Sequence, residues 1–134
     1  MPISVITVLS VHVLVAVFWA GSTFSLARLA GLGGEKFVFP QLGAATLAIL
    51  SGGYLFGMMH AGSFSLAEQV LVAGVACAVV ALIIQGMIGI PTLRRFQSGR
   101  LDLEHVRARI GKAQRVAAGL LAITVITMVL TRYV

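Results

Sequence analysis

Residues 3–30 read ISVITVLSVHVLVAVFWAGSTFSLARLA, and from Ile3 to Ala27 no residue carries a fixed charge. At the helical rise of about 1.5 Å per residue, such a run crosses the ~30 Å hydrocarbon layer of a bilayer. His12 interrupts it and Arg28 closes it. It is too long for a signal-peptide core and no Lys or Arg precedes it, so a cleaved signal is not expected. Three further apolar runs follow, and the spans are expected at about 3–30, 40–60, 66–90 and 113–131. Pro40 suits the first turn of the second helix. Ser65-Leu66-Ala67-Glu68 reads as a capping box opening the third. Pro91 is expected to end that helix. Leu103, Val106, Ile110, Ala113 and Ala117 recur at helical spacing, so the fourth helix is expected to begin before its apolar span, near Asp102.

Composition agrees with this reading. Of 134 residues, 59% are hydrophobic and 10% charged, and the mean hydropathy is +1.03. A soluble domain carries about 25% charged residues, so this chain cannot coat a water-facing globule. A soluble enzyme, a nucleic-acid module and a disordered tail are excluded. The expected fold is an all-α integral membrane protein, one antiparallel bundle of four transmembrane helices.

The net charge of +6 is concentrated. Residues 92–112, expected as a basic cytoplasmic loop, hold Arg94, Arg95, Arg100, Arg107, Arg109 and Lys112, and the first loop adds Arg28 and Lys36. The second loop has neither Lys nor Arg. The positive-inside rule then puts the first and third loops in the cytoplasm and both termini outside, with the terminal Arg132 snorkelling to the outer interface. The expected location is the bacterial inner membrane, and the bilayer itself, with its anionic lipid, is the first partner.

Polar residues inside the spans narrow the function. Glu35, Glu68, Asp102 and Glu104 all fall in turns, caps or the basic segment, so a proton-coupled exporter lacks its membrane carboxylate. The chain has no Asn, which sets aside the small fluoride channels and the four-helix glutathione and eicosanoid transferases. The lone Cys77 forms no intrachain disulfide.

His12 lies about 24 Å above Arg28, and His60 about 30 Å above Pro40, so the two histidines are expected within about 6 Å in depth near the outer leaflet. His12, Ala16, Trp19 and Thr23 share one helical stripe. Gly53 and Gly57 share the His60 face as Gly-x-x-x-Gly, which lets a helix or a flat macrocycle approach the backbone. Gly74, Ala78, Ala81 and Gln85 align on the third span, and Thr124, Thr127 and Thr131 on the fourth. These features lead to a b-type haem, with His12 and His60 as axial and metal ligands and Trp19, Gly53 and Gly57 shaping the pocket. The expected function is electron transfer near the outer leaflet, to or from quinone or another redox partner, with a haem oxidoreductase as its enzymatic form. Two other classes stand beside it. A non-catalytic subunit of a larger membrane assembly, or a homo-oligomer, would use the same small-residue stripes for packing. Copper handling would use His12, His60 and the soft sulfur of Met58 or Met59.

The segment His12-Val-Leu-Val-Ala-Val-Phe-Trp19-Ala20-Gly21 resembles the first helix of two small bacterial membrane families, the copper-resistance D type and the four-helix protoporphyrinogen oxidases. In both, a His is followed by Trp and Gly. The resemblance covers one span of four and implies that His12 is a haem or metal ligand. The oxidases also use a Lys in the third helix, where this chain has only Gln85. The resemblance therefore implies cofactor binding and not that reaction.

Overall fold

The computed structural model describes residues 2–59, 65–131 and 133. Among them are four α-helices: α1 (Ile3–Arg28), α2 (Val38–Met59), α3 (Leu66–Gln97) and α4 (Leu103–Leu130), with a single 3-10 turn at Gly34–Lys36. Each helix is long and apolar enough to cross a membrane. Their outer faces are apolar. α1 buries only Val5, Trp19, Thr23 and Leu26, while Leu14 is 71% exposed and Val17 66%. A contiguous jacket of exposed aliphatic side chains is the inverse of a soluble bundle. In lipid, the β-branched residues of α1 are no obstacle, because a helix satisfies every backbone group within the segment.

The helices form an antiparallel ring in chain order, with α3 against α4 and α1 against α2 as the closest pairs. Small residues permit this. Ala44, Ala45 and Ala48 of α2, Ala78 and Ala81 of α3 and Ala117 of α4 gather around Trp19 and Leu121 in a common core. Between α3 and α4, a Cβ on Gly74 would collide with the Thr127 hydroxyl, and the Thr124 hydroxyl donates to the Gly74 carbonyl at 2.9 Å. A second cluster, Val38, Leu93, Val106 and Ile110, packs the end that carries the basic residues.

Both expected helix starts are present. Ser65 and Glu68 form the capping box, with the Ser65 backbone N–H donating to the Glu68 carboxylate at 3.0 Å. Asp102 caps α4, accepting from the His105 backbone N–H at 2.9 Å. That hydrogen bond, with the one from the His105 ring, holds the Asp102 carboxyl below its ordinary value.

Two expectations fail at the basic end. Pro91 does not stop α3, which continues to Gln97. A proline removes one N–H from the helical ladder, and here the orphaned carbonyl belongs to Met87, 71% exposed on the outer face. Thr92 and Leu93, both buried just beyond, hold the continuing turns in place. Residues 92–112 are accordingly not a loop: they are the end of α3, a short turn, and the first turns of α4.

The connection between α1 and α2 is docked on α4. Gly31 has φ +80°, and a Cβ there would strike the Arg107 carbonyl. A Cβ on Gly111 would lie 2.7 Å from the Ala30 carbonyl carbon. Across this contact Arg107 holds Glu35 in a two-pronged pair, Nη2 to Oε1 at 2.9 Å and Nε to Oε2 at 3.2 Å. The guanidinium keeps the Glu35 carboxyl below its ordinary value, against a burial that pushes it up.

Candidate functional site

All four helices enclose a cavity of about 310 Å³ in the half of the bundle nearer the termini, with almost wholly apolar walls. α1 contributes His12, Ala16 and Trp19; α2 contributes Ala48, Gly52, Gly53 and Phe56; α3 contributes Val72, Val75 and Ala78; α4 contributes Leu121, Thr124 and Met128. That volume lies at the lower end of small-molecule sites.

His12 is the polar group in this wall whose state can be read from its neighbours. Its Nδ1 lies 3.0 Å from the Ala48 carbonyl oxygen and 2.9 Å from Ser51 Oγ. A carbonyl only accepts, so Nδ1 must carry hydrogen. Ser51 agrees, because its own hydroxyl donates to the Leu47 carbonyl at 2.6 Å and leaves its oxygen to accept from the ring. In the neutral ring, Nε2 then holds an unshared lone pair. No described group hydrogen-bonds Nε2. Fixing one ring nitrogen on a carbonyl while the other stays free is the arrangement that orients metal-ligating histidines.

Beneath the cavity lies a knot of amides. The Trp19 indole N–H donates to Gln85 Oε1 at 2.7 Å. Gln85 Nε2 donates to Thr23 Oγ1 at 3.0 Å and to Gln114 Oε1 at 2.9 Å. Gln41 and Gln114 pair reciprocally at 3.1 and 2.7 Å, and Gln41 Nε2 also reaches Ser22 and Thr23, each at 3.0 Å. Thr23 completes the set by donating to the Trp19 carbonyl at 2.7 Å. The knot joins both diagonals of the ring, α1 to α3 and α2 to α4. Among the described residues no buried side-chain nitrogen or oxygen lacks a partner, so the knot forms a hydrogen-bonded floor to the cavity.

His12, Trp19 and Gly53 come together on one cavity. Gly57 is exposed and off its wall, as are Met58 and Met59, which are 53% and 52% exposed. His60 lies outside the described residues. The level of His12 differs from the expected one: it meets α2 at Ala48 and Ser51, about 12 Å short of Met59 along the helix. The expected depths take Arg28 and Pro40 as level, whereas Thr23 meets Gln41, which puts Arg28 about 6 Å further toward the basic end than Pro40. The described residues include no group of three or more His, Cys, Asp or Glu able to hold a metal ion.

Two features escaped the sequence reading. Gly52 is the glycine that meets His12, where a Cβ would sit 3.1 Å from the ring's Cε1. The three glutamines were separately visible as amides in or beside apolar runs, but no spacing rule relates residues on different helices. No known family matches this chain, and no curated protein or solved structure does so either.

Proposed function

We propose that this chain is a small membrane protein that holds a b-type haem on His12 and passes electrons within the bilayer. The observation that carries this reading is the pinned ring: Nδ1 bound to the Ala48 carbonyl and Ser51, with no partner for Nε2 among the described residues, in the wall of an almost wholly apolar cavity. One imidazole with its outer nitrogen anchored suits one axial position. The indole of Trp19 offers a flat wall, and Gly52 and Gly53 let a planar group come close to α2. A macrocycle held there would exceed the cavity of about 310 Å³ and would need the side where Gly53, Val72 and Val75 are exposed. Bound there, haem would supply a one-electron couple tuned by its axial ligand and apolar surroundings. On this reading the basic end faces the cytoplasm and both termini face outward, in a bacterial inner membrane.

The size of the cavity favours a second reading, a lipid-soluble quinol whose hydroxyl donates to Nε2. One spectrum separates them. Detergent-purified protein expressed with ample haem should show a Soret band and a shift of that band on dithionite reduction. His12→Gly should lose these, and added imidazole should restore them. Absence of the band in the unaltered protein overturns the haem reading. Loss of a bound quinone on His12→Gly, in protein that lacks the band, would support the quinol.

A further inference from the structure

We propose that the groove between α3 and α4 at the basic end is a binding site for an anionic phospholipid, with its phosphate held by Arg95, Arg109 and Lys112. The groove has a volume of about 360 Å³. α3 lines it with Met87, Ile88 and Pro91 and, a turn further toward the basic end, with Arg95; α4 lines it with Arg109 and Lys112. The apolar part is open, with Met87 71% exposed, and Pro91 brings an apolar ring without an N–H. With Met87 and Ile88 it forms an apolar surface for an acyl chain.

The cationic part converges for a geometric reason. Side chains tilt toward the N terminus of their own helix, and α3 and α4 run antiparallel. Arg95 therefore leans back into the groove, while Arg109 and Lys112 lean toward the basic end to meet it. The three also have no carboxylate partner among the described residues. Across α4 the neighbouring groove, which Lys112 and Arg115 also line, contains Glu104 and Arg107, and Arg107 is committed to Glu35. What sets the α3–α4 groove apart is that its cations adjoin the apolar wall of Met87, Ile88 and Pro91 with no carboxylate in its lining. An apolar stretch ending in three free cations copies the order of acyl chain and phosphate in a lipid, and a phosphate takes Arg in a bidentate fork and Lys as a point charge.

The site is independent of His12 and is tested without it. The full chain, purified in neutral detergent, is titrated with phosphatidylglycerol or with phosphatidylcholine of the same acyl chains, and bound lipid is counted by native mass spectrometry. The unaltered protein should retain phosphatidylglycerol and release phosphatidylcholine. R95Q/R109Q/K112Q should weaken retention by about fivefold per cation removed, whereas the charge-matched R28Q/R100Q/R115Q should retain it. Equal retention of the two lipids by the unaltered protein overturns the site, and that comparison needs no variant. So does equal loss in the two triple variants, which would mean diffuse attraction. Displacement of the lipid by excess inorganic phosphate would mean an anion site without a lipid, and overturns it too.

Discussion

The two ends of this bundle are built on different principles. At the basic end, Gln41, Gln85 and Gln114 close a hydrogen-bonded knot, Val38, Leu93, Val106 and Ile110 pack beneath it, and the α1–α2 connection is clamped to α4 through glycine contacts and the Glu35–Arg107 pair. Toward the termini, the same four helices leave a cavity of about 310 Å³ lined by alanine, glycine and valine, with His12 on its wall. The difference concerns directionality. Dispersion between helices in lipid is non-directional and small residues contribute little of it, so alanine stripes alone leave helices free to slide or rotate. Amides fix register, because each donor has few places to go. A bundle tied at one end can be hollow at the other and still hold one ring nitrogen in a defined position.

The sharpest way to break this comparison is Gln114→Leu. It removes the acceptor shared by Gln41 and Gln85 and the donor to Gln41 Oε1. Each buried polar group left unpaired costs about 1–3 kcal/mol, so a loss of about 2–4 kcal/mol is expected in detergent unfolding. Gln41→Leu combined with Gln114→Leu should cost less than the sum of the two singles, since the second change removes groups the first has orphaned. Additive losses would mean the reciprocal pair does not act as a unit. A loss no larger than that of an exposed substitution would erase the contrast between the ends.

How much of this could be read from the chain follows the same division. Apolar runs, the Ser65–Glu68 box and the Asp102 cap are local in sequence, and they marked the helices closely. Pro91 misled because a proline's effect depends on where its orphaned carbonyl points, and Met87 faces outward. The stripe of His12 and Trp19 was legible, since both belong to one helix and their angular relation is set by its pitch. Their partners were not. Gln41 and Gln114 are 73 positions apart, and the relative rotation of two helices is decided only by packing. The contact of Gly52 with His12 is hidden for the same reason: Gly53 and Gly57 are read from the His60 face, whereas α2 turns Ala48, Ser51 and Gly52 toward His12.

Adjacent glycines on the hollow side sharpen the comparison with a smaller effect. Gly52→Ala places a methyl 3.1 Å from His12 Cε1, so the ring must give by a few tenths of an ångström and its hydrogen bond to the Ala48 carbonyl is strained. Gly53→Ala meets nothing within 4 Å. Neither should change stability by more than about 1 kcal/mol, because alanine is the better helix former and offsets part of any crowding. Their effects on the ring should diverge. In ¹⁵N spectra of labelled histidine, Gly52→Ala should shift the His12 signals away from the Nδ1–H tautomer, and Gly53→Ala should leave them in place. Equal shifts would mean that the cavity wall is soft throughout and that His12 is not held by its contact with α2.

The smallest effect belongs to the clamp at the other end, and its sign can be worked out. Glu35 is held below its ordinary value of 4.5 by the hydrogen bond from Arg107. A carboxyl whose folded value is depressed contributes stability above the unfolded value and loses it as pH falls through the folded one. The unaltered protein should therefore be more stable than Glu35→Gln near neutrality, and the gap should begin to close below about pH 4.5 and vanish once Glu35 is protonated in both states. The difference is expected to be small, because the Arg107 side chain is 30% exposed and water and salt screen such a pair. Raising the salt at pH 7 should narrow the gap in the same direction as acid does. Unfolding midpoints of the two proteins across pH 3–7 check this. A gap that widens in acid would show that the docked connection is held by its glycine contacts with α4, with the ion pair only following them.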